Sequence, residues 1–130
     1  FRNVLEFRRV LFRSSKQVLA TIDYIKSNST VEPIIILMGD HGPGTFVYQI
    51  DVEHSNHYER MHILNAFYLP GVNPRKIPVD ITPVNTFRFI FNEYFDANLP
   101  LLENRSFASS YITPYKFIDV TEASEISNTP

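Results

Sequence analysis

An α/β fold is predicted by three features of the 130-residue sequence. Val18, Leu19, Ile22 and Ile25 recur at helical spacing with polar residues opposite. After a short polar break comes Ile34-Ile35-Ile36-Leu37-Met38, apolar on both faces and rich in β-branching, which suits a central strand of a covered parallel sheet. Helix, short loop and buried strand make half of a βαβ unit, which gives the class. Composition agrees, because 44% hydrophobic and 20% charged residues, with eleven Phe and seven Tyr, describe a core-forming chain rather than a disordered or fibrous one. No run reaches the roughly 18 apolar residues of a membrane span. With no Cys, disulfides, thiolate metal sites and cysteine nucleophiles are all excluded. The net charge of −2 gives no reason to expect nucleic-acid binding.

Taken in order, residues 1–14 stand apart. They hold Arg2, Arg8, Arg9 and Arg13 against one acid, Glu6, and without them the chain has eight basic and thirteen acidic groups, a net of −5. Glu6-Phe7-Arg8-Arg9-Val10-Leu11-Phe12-Arg13-Ser14 looks like the translation of a sequencing adapter, so 1–14 is set aside as non-native. The competing reading is a basic amphipathic targeting or membrane-surface helix. On the adapter reading the natural sequence starts mid-gene near Ser15, and the chain is a fragment. A helix is predicted from Ser15, stopped by Ser27-Asn28-Ser29-Thr30, and Pro33 opens the first strand. Gly39-Asp40-His41-Gly42-Pro43-Gly44 is a sharp turn, and residues 45–59 read as a loop on its side. Ile63 to Leu69 reads as a strand ended by Pro70-Gly71. Thr82-Pro83 starts a helix to about Phe95, with Val84, Phe87, Ile90, Phe91 and Tyr94 on its buried face. Short strands are expected near Tyr111–Ile112 and Phe117–Val120, and a polar tail over 123–130, with the last ten residues frayed.

Asp40 and His41 carry the chemistry. Ligands bind beyond the carboxyl ends of strands in open α/β sheets, and this pair stands at such an end. A glycine-rich turn lets a carboxylate and an imidazole converge on one ion. Such a donor pair suits zinc or manganese better than calcium, which prefers oxygen alone. The plain reading is a capping Asp and an ordinary loop His.

Ile34-Ile35-Ile36-Leu37-Met38-Gly39-Asp40-His41-Gly42 resembles the late metal-ligand motif of the alkaline-phosphatase/sulfatase superfamily. Glu59-Arg60-Met61, Ile63 to Gly71, Ile81 to Arg88, Leu99 to Leu102 and Pro114 to Thr121 are similar to bacterial sulfatase-like hydrolase/transferase proteins, so the resemblance covers nearly all of residues 15–122. It implies an alkaline-phosphatase-like sandwich with a mostly parallel central sheet, present here as its C-terminal part. It also implies a divalent ion (zinc, manganese or calcium) held in part by Asp40 and His41, and a sulfate or phosphate ester, small or glycan- or lipid-linked, as substrate. The family's nucleophile is an upstream Ser, Thr or formylglycine precursor, which this sequence lacks along with the first acidic ligands, so the fragment alone is expected to be inert. Relatives are often membrane-anchored with the catalytic domain outside the cytoplasm.

Three further residues are candidates for the substrate. His54 and His57, spaced i, i+3, could approach a second metal or the ester, or form a solvated loop pair. Arg60 could hold an anion bidentately or pair with Glu59 or Asp51. His62 and Tyr68 read as structural, and Arg88 as a buried ion pair or carbonyl clamp. A non-enzymatic α/β interaction module is the alternative for the whole.

Overall fold

The computed structural model describes the backbone of residues 2–125 and the side chains of residues 14–125. The elements are α1 (Arg2–Asn28), β1 (Ile35–Met38), α2 (His57–Met61), β2 (Asn65–Tyr68), a 3-10 turn (Pro74–Lys76), α3 (Pro83–Phe95), β3 (Phe107–Ala108), β4 (Ile118–Asp119) and α4 (Thr121–Glu125). The chain mixes helix and strand, and forms two two-stranded sheets, β1 with β2 and β3 with β4. Gly39 N–H donates to the Leu64 carbonyl at 2.8 Å, which sets the end of β1 beside the start of β2 and makes that pair antiparallel. β3 and β4 are antiparallel too, Phe107 opposite Asp119. Among the described residues β1 therefore has β2 as its partner rather than a parallel neighbour, and it is half-buried along its whole length.

The chain divides into two compact units, Phe1–Ile36 with Phe67–Gly71, and Leu37–Ala66 with Val72–Pro130. In the first, α1 ends where the polar break predicts. Asn28 Nδ2 donates to the Tyr24 carbonyl at 2.8 Å, and Ser29 reaches the Ile25 carbonyl with both Oγ (2.7 Å) and N–H (3.0 Å), so the polar residues fold back on the last turn. Of its predicted apolar face only Ile22 is half-buried, while Val18, Leu19 and Ile25 are exposed. Tyr68 is tied in twice: its hydroxyl donates to Glu32 at 3.0 Å and the Lys26 ammonium lies 4.1 Å from its ring centre. How residues 1–13 pack lies outside the described side chains.

The second unit holds the buried apolar residues Val52, Phe89, Ile90 and Val120, with His57, Asn85, Thr86 and Ser124 buried among polar groups. Helix α3 begins as Thr82-Pro83 predicts, but by main chain: the Thr82 carbonyl accepts from Thr86 N–H at 2.8 Å and Thr86 Oγ1 at 3.0 Å, and the Thr82 hydroxyl makes no cap bond. It ends at Asp96 in the left-handed region (φ 49°). Its buried face is Asn85, Thr86, Phe89 and Ile90, turned from the predicted one, and Val84, Phe87 and Phe91 are exposed. The asparagines explain the turn. Asn85 donates to the Leu102 carbonyl (2.8 Å) and accepts from its N–H (2.9 Å). Asn92 does the same with Leu99 (2.8 and 2.7 Å), and Arg88 Nη1 donates to the Pro100 carbonyl at 2.9 Å between them. Seven helical residues rise about 10.5 Å, close to the roughly 10 Å spanned by three extended residues, so the two amides match two main-chain positions on an antiparallel run. Of the two expectations for Arg88, a buried ion pair or a carbonyl clamp, the structure has the clamp.

Short strands appear at Phe107–Ala108 and Ile118–Asp119, the second as predicted and the first before rather than at Tyr111–Ile112. Of the last ten residues, Thr121–Glu125 form α4, with Ser124 buried; the rest of the tail lies outside the described residues. No helix among the described residues is long and apolar enough to cross a membrane.

Candidate functional site

The turn after β1 is built against α2, a helix that falls where the sequence suggests a loop. The signal for it is Asn56 with Glu59 three residues on: the Asn56 side chain accepts from Glu59 N–H at 3.0 Å, an N-terminal cap. The C-terminal end of α2 receives the turn. Gly42 N–H donates to the Arg60 carbonyl at 2.7 Å. A Cβ at Gly42 would stand 2.0 Å from the Glu59 carbonyl oxygen and 2.5 Å from that of His62, so this close approach requires glycine.

The Asp40 and His41 side chains approach each other, Asp40 Oδ2 lying 3.4 Å from His41 Nε2. Both are open to solvent, with side-chain exposures of 87% and 49%. His41 Nδ1 is 2.9 Å from the Gly42 carbonyl, an acceptor only, so Nδ1 carries the proton and donates. In the neutral ring Nε2 is then the nitrogen with the free lone pair, 3.4 Å from the Asp40 carboxylate. Two electron-pair donors thus lie close together, which favours a positive charge between them, whether a proton on Nε2 or a bound cation.

Arg60 pairs with neither Glu59 nor Asp51. Its Nη1 donates to the Gly42 carbonyl at 3.3 Å, the same oxygen that holds His41. Glu59 Oε1 instead accepts from Thr45 Oγ1 at 3.4 Å.

His54 and His57 are engaged elsewhere. His54 Nδ1 lies 2.8 Å from Asp51 Oδ2 on the surface, and that contact raises the His54 pKa and lowers that of Asp51, hydrogen bonding being the main cause for each. His57 is 7% exposed, so it is not a solvated loop residue, and its Nε2 is 2.8 Å from the Val52 carbonyl, to which it donates. It lines a cavity of ≈ 770 Å³ with Val52, Arg105, Asp119, Val120 and Thr121. His62 closes α2, its Nδ1 2.7 Å from the Tyr58 carbonyl and its ring 4.1 Å from that of Tyr58, the structural place expected.

Among the described residues no three His, Cys, Asp or Glu side chains are grouped to hold a metal ion. Asp40 and His41 are thus a two-donor constellation. No protein-family model, curated protein or solved structure matches the chain.

Proposed function

We propose that this chain supplies the late metal-ligand part of a sulfatase-like hydrolase or transferase that acts on sulfate or phosphate esters. In this reading the parent has the alkaline-phosphatase-like sandwich with a mostly parallel central sheet, and residues 15–122 are its C-terminal part. The observation that carries the reading is the Asp40–His41 pair. Its 3.4 Å separation, combined with zinc–nitrogen and zinc–oxygen bonds of roughly 2.0–2.2 Å, corresponds to an angle of about 110° at the ion, close to tetrahedral. The Gly42 carbonyl provides what a metal-bound imidazole needs, an acceptor for the other ring nitrogen.

A divalent ion there would activate a hydroxyl nucleophile and absorb charge on the transferring group. Asp40 neutralises part of the ion's charge, and His41 in its Nδ1–H form offers Nε2. Two protein donors are fewer than the three that catalytic zinc sites use. The remaining ligands and the nucleophile are accordingly assigned to a part of the parent beyond these residues, and the chain alone is expected to be inert. The exposed Phe87, Phe91 and Phe95 on α3 favour a second reading, a non-enzymatic interaction module in which Asp40 and His41 only shape the turn.

Calorimetric titration with zinc or manganese separates the two. Weak uptake of one ion per chain, lost in both Asp40→Ala and His41→Ala with the fold retained, is the expected result. Uptake that is equal in all three proteins would leave the pair as turn residues and remove the basis for the enzyme reading.

A further inference from the structure

We infer that Arg60 is a positioning residue for His41, acting through Gly42 and not by direct contact with a ligand. The inference rests on the reading of Asp40 and His41 as a ligand pair, but the contacts behind it stand without a metal. Planar peptides leave each residue two soft torsions, and a glycine restricts them least. Gly42 lies between the peptide that carries its N–H and the peptide that carries its carbonyl. Arg60 grips both. Its own carbonyl accepts from Gly42 N–H at 2.7 Å, and its guanidinium donates to the Gly42 carbonyl at 3.3 Å. The second of these planes needs the side chain, because it continues into Pro43, which has no N–H with which to anchor it.

That plane matters because its oxygen holds His41 Nδ1 at 2.9 Å. A carbonyl oxygen has two lone pairs and accommodates both donors. With the guanidinium in place the oxygen is aimed at the ring, the proton stays on Nδ1, and Nε2 is left facing Asp40. Without it, Gly42 can turn its carbonyl away, and the imidazole loses the contact that distinguishes its two nitrogens. Arg60 therefore serves the ion site from the opposite side of the turn, a role different from anchoring an anionic substrate.

The test uses Arg60→Met, which keeps most of the apolar stem and removes the donor, with Arg60→Gln as a second variant. Imidazole ¹⁵N shifts of His41, measured at about pH 8.5 where a free ring is neutral, report which nitrogen carries the proton. Wild type should show the Nδ1–H form, and the variants a mixture of the two forms with amide spectra otherwise unchanged. Zinc affinity should fall about 10-fold or more in the same variants, the usual effect of losing a group that orients a metal ligand. An Nδ1–H population equal to wild type in either folded variant would overturn the inference, whatever the zinc result. Loss of the fold in both would overturn it too, by showing a stability element instead. Wild type that takes up no zinc, with the tautomer shift as expected, would refute the metal reading and leave Arg60's hold on His41 standing.

Discussion

Asp119 shows how a single exposed carboxylate can be strongly perturbed by its neighbours. Thr121 donates to Oδ1 from its hydroxyl at 2.6 Å and its N–H at 3.0 Å, and Arg105 donates to Oδ2 from Nε at 3.1 Å and also from Nη2. Together they hold its pKa down at about 2, the Thr121 hydroxyl contributing most and Arg105 next. Because the folded-state value is depressed, the stabilisation is present above the ordinary carboxylate range and is lost as pH falls toward about 2. Carbonyl NMR should find the Asp119 midpoint well below that of a free carboxylate. Thr121→Val and Arg105→Ala should each raise it; a midpoint unmoved in either variant would contradict the assignment of causes. The sequence makes Asp40 and His41 legible because glycines flank them at the end of an apolar run. It says nothing of the Gly42 carbonyl, since main-chain acceptors leave no mark on residue identity. His57 misleads for a related reason: polarity suggests solvent, yet one bond to the Val52 carbonyl makes its burial acceptable.

The helices teach a different lesson. Asn92→Asp keeps the acceptor for Leu99 N–H and removes the donor to the Leu99 carbonyl, so it should destabilise the second unit by about 1–3 kcal/mol. Urea unfolding measures this, and Asn85→Asp should behave alike at Leu102. A cost below about 0.5 kcal/mol, the usual scatter for surface changes, would mean that the segment from Leu99 to Leu102 is held by something else. These bonds also explain why the extent of α3 was legible and its orientation was not. Thr82-Pro83 marks the start reliably, because a fixed φ and a missing N–H suit the first turn. Apolar spacing points to Val84, Phe87, Ile90, Phe91 and Tyr94, whereas the helix turns inward the amides that bind Leu99 and Leu102 and leaves Phe87, Phe91 and Phe95 in a ladder with ring centres 6.5 and 6.0 Å apart. Helix α2 leaves no periodic signal because five residues are too few, though its cap is written in Asn56 and Glu59.

On the scale of the molecule, many large apolar side chains are exposed: Leu19 and Ile25 on α1, the phenylalanine ladder on α3, and Tyr111, Tyr115 and Phe117. Large apolar patches of this kind promote association. Sedimentation velocity should therefore show self-association that grows with concentration, and Phe91→Lys should reduce it. A sharp monomer at every concentration, with cooperative unfolding, would show that the surface is tolerated in water. The mixture of helix and strand is legible in the order of the apolar runs. The antiparallel pairing of β1 with β2 is not, because strand pairing depends on which segments meet, and a run of isoleucines fits either direction.

The close seating of the turn on α2 also governs what the site can attract. Gly39 N–H is committed to Leu64, Gly42 N–H to Arg60, and Pro43 has none. A negatively charged guest thus meets a carboxylate and few free main-chain donors, while a positive one meets open lone pairs. On the proposed reading this makes assembly sequential. A cation held by Asp40 and His41 would reverse the sign of the local field, and an anionic ester would be attracted to the turn only with that cation in place.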